Sequence, residues 1–307
     1  MIVYKELSSV EADLGFSVKT LYGLSNNLSA HYREVKLPKR DGSFRTLHVP
    51  DEILSRVQRA IADKLLAYEP ISPYATAYRV AGSVRKNAAP HVGKAKILKL
   101  DIAHFFDSVM YSTVKEMAFP KEKYAEKIRV LLAMLCYCGE VLPQGAPSSP
   151  MITNIIMRCF DETVGKRCQS LGIAYTRYCD DMTFSGDFDE TAIIPFVREE
   201  LRKYGFFLND KKTAVVPCCR RQTVTGVVVN EKLNVSSAYK RRIRQEIFYL
   251  QKFGVAEHLK KTASDLSAKQ YLMKLLGRIN YVLQICPDDG NFLRYKEAVI
   301  RLLKDNK

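Results

Sequence analysis

Two adjacent acids, Asp180 and Asp181, stand between the short apolar runs Ala174 to Tyr178 and Met182 to Ser185, which places them at the tip of an expected tight hairpin. Carboxylates within about 5 Å repel each other, and a fold that holds them together needs a compensating cation. A divalent metal serves best, because hard cations take carboxylate oxygens. A third acid, Asp101, lies near the end of Lys96-Ile97-Leu98-Lys99-Leu100-Asp101-Ile102, which reads as a buried strand and is followed by the aromatic pair Phe105-Phe106. Three such acids could hold two Mg²⁺ ions about 4 Å apart, which activates an attacking hydroxyl and stabilises a departing pyrophosphate. The bare tetrapeptide Tyr178-Cys179-Asp180-Asp181 also fits a plain turn, where Asp is common.

The elements that would position these acids read as a mixed α+β chain. Tyr32 to Pro38 and Phe44 to Pro50 flank Lys39-Arg40-Asp41-Gly42-Ser43, whose Asp-Gly pair signals a basic β-hairpin. Pro50-Asp51 then opens a helix with Leu54, Val57, Ile61 and Leu65 on one stripe and Arg56, Gln58 and Arg59 off it. A helix is expected to start near Pro150, with Ile152, Ile155, Ile156, Cys159 and Phe160 on one face. Another, with Pro195 near its first turn, runs to Tyr204 and stops at Gly205. Phe206 to Val216 and Thr223 to Asn230 look like strands. From Ser236 the pattern is helical, with Tyr239, Ile243, Ile247 and Leu250 on one stripe and Leu272, Leu275, Leu276, Ile279 and Leu283 on another.

The 307 residues carry 48 Lys and Arg against 33 Asp and Glu, a formal charge of +15. Between Arg202 and Arg244 eleven basic residues face only Asp210 and Glu231. Such a segment points to a polyanion, although a solvated basic surface has the same composition. The 47% hydrophobic and 26% charged content excludes a disordered or collagen-like chain. Val130 to Cys138 is too short an apolar run to span a bilayer, and Lys5 and Glu6 stand where a signal peptide would be apolar, so the expectation is a cytoplasmic protein without a membrane partner. The eight cysteines show no zinc spacing and read as reduced thiols.

These pieces fall in a particular order. Tyr178-Cys179-Asp180-Asp181 resembles the YxDD box of reverse transcriptases, and Leu100-Asp101 through Phe106 resembles their first aspartate motif. Leu142-Pro143-Gln144-Gly145-Ala146-Pro147-Ser148-Ser149-Pro150 is similar to their LPQGxxxSP stretch, and Leu208-Asn209 with Lys212-Thr213 to their NxxKT segment. Asn87-Ala88-Ala89-Pro90-His91 and Val224-Thr225-Gly226 look like the NAxxH and VTG signatures of the bacterial retron reverse transcriptases. Gly277-Arg278-Ile279-Asn280-Tyr281 resembles a thumb motif shared with group II intron enzymes, and does not discriminate.

The resemblance implies a right-hand polymerase: N-terminal helices and fingers over 1–95, a palm of antiparallel sheet flanked by helices over 96–235, and a helical thumb over 236–307. Asp101, Asp180 and Asp181 would bind two Mg²⁺ ions, with the backbone carbonyl of Ile102 completing a shell. Phe106 would lie under the incoming sugar and exclude a 2′-hydroxyl, or else simply pack in the core. Arg45 would grip the triphosphate with its planar fork, Lys39 and Arg40 assisting from the surface. Gln144 would steady the nucleotide or a template base, and Gly145 would allow close backbone approach to substrate. Lys212, beside Lys211, is the candidate proton donor to pyrophosphate. Asp107 reads as solvated and His104 as structural.

For RNA, the resemblance points to Asn87, His91, Val224, Thr225 and Gly226, either in direct contact or as a loop cap and a β-turn. The crowded helix start at Lys240, Arg241, Arg242 and Arg244 would face phosphates, reading shape rather than duplex sequence. The implied reaction copies a structured noncoding RNA with dNTPs into msDNA, primed from the 2′-hydroxyl of an internal guanosine. A separately encoded effector protein in an antiphage system and a host RNase H that removes template are further implied partners. The alternatives are a noncatalytic RNA-binding scaffold and a group II-like enzyme without msDNA.

Overall fold

The computed structural model describes residues 3–38, 42, 44–261 and 266–305. The chain divides into two compact units, one of residues 1–82 and 98–215 and one of 83–97 and 216–307.

In the first unit, Leu7–Leu14 and Val18–Asn26 form two short helices, the second capped by the Ser17 side chain. Strands β1 (Tyr32–Pro38) and β2 (Phe44–Pro50) pair antiparallel from Tyr32 opposite Pro50 to Pro38 opposite Phe44. The expected hairpin thus forms in its strands, while Lys39, Arg40, Asp41 and Ser43 lie outside the described residues. Asp51 caps the helix Glu52–Ala60 by accepting from the Leu54 amide, and Leu54, Val57, Ile61 and Leu65 are buried as their spacing predicts. Gln58, placed off the stripe in the sequence reading, is fully buried instead. Its amide donates to the Tyr32 hydroxyl (2.6 Å) and the Leu135 carbonyl (2.8 Å), so a polar side chain ties this helix to the hairpin.

The main sheet contains β3 (Lys96–Ala103), β4 (Ala174–Tyr178), β5 (Asp181–Gly186), β6 (Phe207–Leu208) and β7 (Ala214–Pro217), in the order β4-β5-β3-β6, with β7 also on β3. The expected strand from Phe206 to Val216 is broken by a 3-10 turn at Asp210–Lys212. The Arg198–Asp210 ion pair at 2.6 Å braces that turn. Ser149–Ile156 and Arg158–Ser170 are separate helices where one was expected, and Cys159, assigned to the buried face, is exposed because the break falls just before it. Pro195 sits well inside the helix Glu190–Arg202 rather than near its first turn. Gly165 leaves room for the Tyr74 ring, which a Cβ there would meet at 2.0 Å.

In the second unit, Val84–Ala88, which runs on into a 3-10 turn Ala89–His91, packs with β8 (Thr223–Val224) and β9 (Val227–Val228), a hairpin of two-residue strands rather than the long strand expected. Thr225 (φ +44°) and Gly226 (φ +83°) both take positive φ, the pairing that a type I′ turn requires. Ser237–Lys261 is helical with a backbone break at Gly254, and Ala268–Ile285 and Gly290–Asp305 follow. Ile243, Ile247, Leu250, Leu272, Leu275 and Ile279 fill this unit's core, as the stripes predict. Among the described residues no helix is long and apolar enough to cross a membrane.

Candidate active site

β3 is buried along most of its length, and Asp101 is only 4% exposed between Leu100 and Ile102. A carboxylate so placed needs partners, and the neighbouring strands deliver them. Tyr178 pairs with Asp181, so the turn between β4 and β5 consists of Cys179 and Asp180 alone, and Asp181 already belongs to β5. The Ile102 amide donates to the Asp180 carbonyl at 3.1 Å, which locks the turn against the residue following Asp101. On the other side of β3, the Asn209 amide donates to the Asp101 carbonyl (2.8 Å), and the 3-10 turn after it carries Lys212 Nζ to 2.8 Å from Asp101 Oδ2. Three acids from distant parts of the sequence therefore meet, and Lys212 rather than Lys211 is the lysine that joins them.

The electrostatics record this crowding. Asp181 keeps substantial exposure, yet its carboxyl is pushed up to about 6, first by loss of water around it and then by the charges of Asp180 and Asp101, against the opposing pull of Lys212 and Lys99. Burial draws the Lys212 ammonium down, but its hydrogen bond to Asp101 and the three carboxylates outweigh that and raise it. Burial also lowers Lys99, against the pull of Asp181. The donor set is wholly oxygen, with a surplus of negative charge, which suits a hard divalent cation. Among the described residues no group of three or more His, Cys, Asp or Glu side chains is drawn closely enough together to hold a metal ion, so water and substrate phosphates would have to complete the shell of a cation bound here. The side chain of Ile102 is buried, so only its backbone is available to such a site.

The other expected substrate residues lie in the same unit as this centre. Phe106 is half-buried, its ring edge-on to the buried Phe105 at 5.5 Å, so part of it packs and part stays accessible. Arg45 is exposed on β2. Three residues further on, the His48 amide donates to the Gln144 carbonyl (2.9 Å), which fastens the hairpin to the Leu142 to Pro150 segment. Gly145 (φ +110°) follows, and a Cβ there would come within 3.2 Å of the His48 carbonyl. The close approach that requires glycine is thus to β2. His104 and Asp107, both exposed, approach each other at 3.7 Å.

The residues expected to touch RNA separate into two groups. Asn87, His91 and Val224 are buried at 1%, 0% and 1% exposure, so direct contact by these side chains is corrected to an internal role. The Asn87 amide donates to Thr225 Oγ1 at 3.3 Å, joining the two retron-like signatures inside one unit. Lys240 is likewise occupied, paired with Asp289 at 2.9 Å and lying over the Phe292 ring. Arg241, Arg242 and Arg244 are exposed and remain suited to phosphate contact. Arg278 of the thumb-like motif pairs with Glu246 at 2.7 Å.

Burial, then the Lys94 charge, lowers His91 to about 4. A histidine depressed from about 6.5 adds stability that is complete above 6.5 and lost as pH falls toward 4. Urea unfolding should show a loss of about 3 kcal/mol over that window, at about 1.36 kcal/mol per pKa unit. His91→Gln should flatten this part of the profile, and an unchanged slope would contradict the neutral, buried assignment.

Sequence reasoning missed Arg177, Asp161, Asn154 and Tyr78, which surround the Cys179 turn. The available signal was a charged residue inside an otherwise buried strand, which almost always has a partner.

The chain matches the family model described as reverse transcriptase (RNA-dependent DNA polymerase) over residues 37–252. It is 32% identical to the retron Mx65 reverse transcriptase of Myxococcus xanthus over 95% of this chain and 71% of that protein. Identity to the retron Ec86 reverse transcriptase of Escherichia coli is 30%, over 81% of this chain and 79% of that one. Against a solved apo telomerase from Candida tropicalis the TM-score is 0.48 at 13% identity, covering 95% of this chain and 63% of the telomerase.

Proposed function

Since the chain belongs to the reverse transcriptase family, and within it to the bacterial retron enzymes, it is an RNA-directed DNA polymerase, and we propose that it copies a structured noncoding RNA into branched msDNA from the 2′-hydroxyl of an internal guanosine. The observation that carries the catalytic reading is the meeting of Asp101 with the Asp180-Asp181 turn through the Ile102 amide. Asp101, Asp180 and Asp181, with the Ile102 carbonyl, are the residues to hold two Mg²⁺ ions. Bound there, the ions would lower the pKa of the attacking hydroxyl and neutralise charge on the triphosphate.

The chain's own residues supply the rest. Arg45 and Gln144, joined through the hairpin tie at His48, orient the nucleotide; the accessible part of the Phe106 ring excludes a 2′-hydroxyl. As the α-phosphorus bonds to the priming oxygen, pyrophosphate leaves and Lys212 gives it a proton. Arg241, Arg242 and Arg244 meet RNA phosphates, while Asn87, His91, Val224, Thr225 and Gly226 form the folded platform behind them. We assign 1–95 to N-terminal helices and fingers, 96–235 to palm and 236–307 to thumb; residues 83–97 nevertheless pack with 216–307. The cytoplasm, an antiphage setting with a separate effector and a host RNase H complete the reading.

The test of the branched product is direct. DNA synthesised with the native RNA partner should shift in gel mobility when a 2′,5′-debranching enzyme is added. Linear cDNA insensitive to debranching would favour a group II-like enzyme.

A further inference from the structure

Cys179, the first residue of the catalytic turn, is held at φ +61°, a conformation that L side chains seldom adopt. Beneath it lies a fully buried ion pair. Arg177 and Asp161 are both 0% exposed, and Arg177 Nη2 stands 2.6 Å from Asp161 Oδ2. The Nε group adds contacts of 2.8 and 3.1 Å to the two Asp161 oxygens, and the Tyr175 hydroxyl donates to the same carboxylate at 2.8 Å. Nη2 also reaches Asn154 Oδ1 at 3.3 Å, and the Asn154 amide donates to the Ala77 carbonyl at 2.9 Å. The remaining arm, Nη1, points the other way and donates to the Cys179 carbonyl at 2.9 Å.

The backbone of residue 177 is held as firmly. Its amide donates to the Tyr74 carbonyl (2.8 Å), and its carbonyl accepts from the Thr76 amide (2.8 Å) and Thr76 Oγ1 (3.0 Å). Residues 74–77 thus run beside β4, and Tyr78 beyond them offers its hydroxyl to Cys179 Sγ at 3.5 Å.

We propose that Arg177, clamped by Asp161 and Asn154, is a positioning residue: its Nη1 arm fixes the Cys179–Asp180 peptide and so sets how well the turn binds a divalent cation. This rests on the reading that Asp180 and Asp181 are metal ligands. A buried pair that served only the core could be exchanged for apolar groups of similar volume without loss. The arm on the Cys179 carbonyl has no apolar substitute. Nor does lysine replace it, because one ammonium cannot span acceptors that a planar fork reaches in different directions.

The experiment measures Mn²⁺ binding to the full-length protein by the electron paramagnetic resonance of free Mn²⁺, alongside thermal melting. The proteins are the parent, Arg177→Lys, the apolar pair Asp161→Leu with Arg177→Met, and Asp181→Asn. Both Arg177 variants should bind Mn²⁺ at least about tenfold more weakly. The apolar pair should melt near the parent, which keeps the test open if Arg177→Lys does not fold. A folded Arg177 variant with parental Mn²⁺ affinity overturns the proposal. Loss of binding in Asp181→Asn alongside that result sinks the clamp alone; parental binding in Asp181→Asn sinks the metal assignment and the clamp with it.

Discussion

Asp180→Asn and Asp181→Asn should each reduce RNA-templated primer extension by about 10³-fold, with the protein still folded. The magnitude follows from the several kcal/mol of charge stabilisation that a metal site contributes, at about 1.36 kcal/mol per decade of rate. The sign of the stability effect separates this from simple unfolding. Asp181 is pushed up in pKa by loss of water and by Asp180 and Asp101, so its charge strains the metal-free fold. A neutral amide there relieves repulsion, and thermal melting should be unchanged or higher. A variant that extends primers at the parental rate would refute the assignment of these aspartates as metal ligands.

Lys212→Met should slow the single-turnover rate of nucleotide addition by roughly 10²- to 10⁴-fold, the range of general acid catalysis. Lys212 has two possible duties, to neutralise Asp101 at 2.8 Å and to hand a proton to pyrophosphate. Lys212→Arg divides them, because arginine keeps the charge but does not release its proton in proteins. The proton-donor reading expects Lys212→Arg to remain within about tenfold of Lys212→Met. Recovery of the parental rate in the arginine variant would reduce Lys212 to a counter-ion. The raised pKa keeps the ammonium charged through neutral pH, so the donor is loaded when the nucleotide arrives.

What was legible in the sequence follows physical lines. The hairpin strands, β3, the β4–β5 turn and the thumb-like helices were readable because each couples a hydrophobic period to local turn or cap chemistry, as at Asp51 and Gly205. The region after Phe206 was not, because its β-rich composition is interrupted by the 3-10 turn Asp210–Lys212, where Asp210 pairs with Arg198 of the preceding helix. Burial of polar groups was harder still. Gln58, Asn87 and Lys240 look like surface residues until the Leu135 carbonyl, Thr225 and Asp289 meet them across 77, 138 and 49 residues of chain. At the site, motif order identified the acids and Lys212. The network under Cys179 escaped notice because Arg177 gains its meaning only when Asp161 and Asn154 fold beneath it.

The most direct examination of the central claim is anomalous diffraction from crystals grown with Mn²⁺, a chain-terminated DNA primer on RNA template and an incoming dNTP. The account predicts Mn²⁺ peaks at about 2.0–2.2 Å from carboxylate oxygens of Asp101 and of the Asp180-Asp181 turn, with Lys212 withdrawn from Asp101 toward the phosphates. Mn²⁺ bound elsewhere, with Lys212 still seated on Asp101 beside a bound nucleotide, would contradict it.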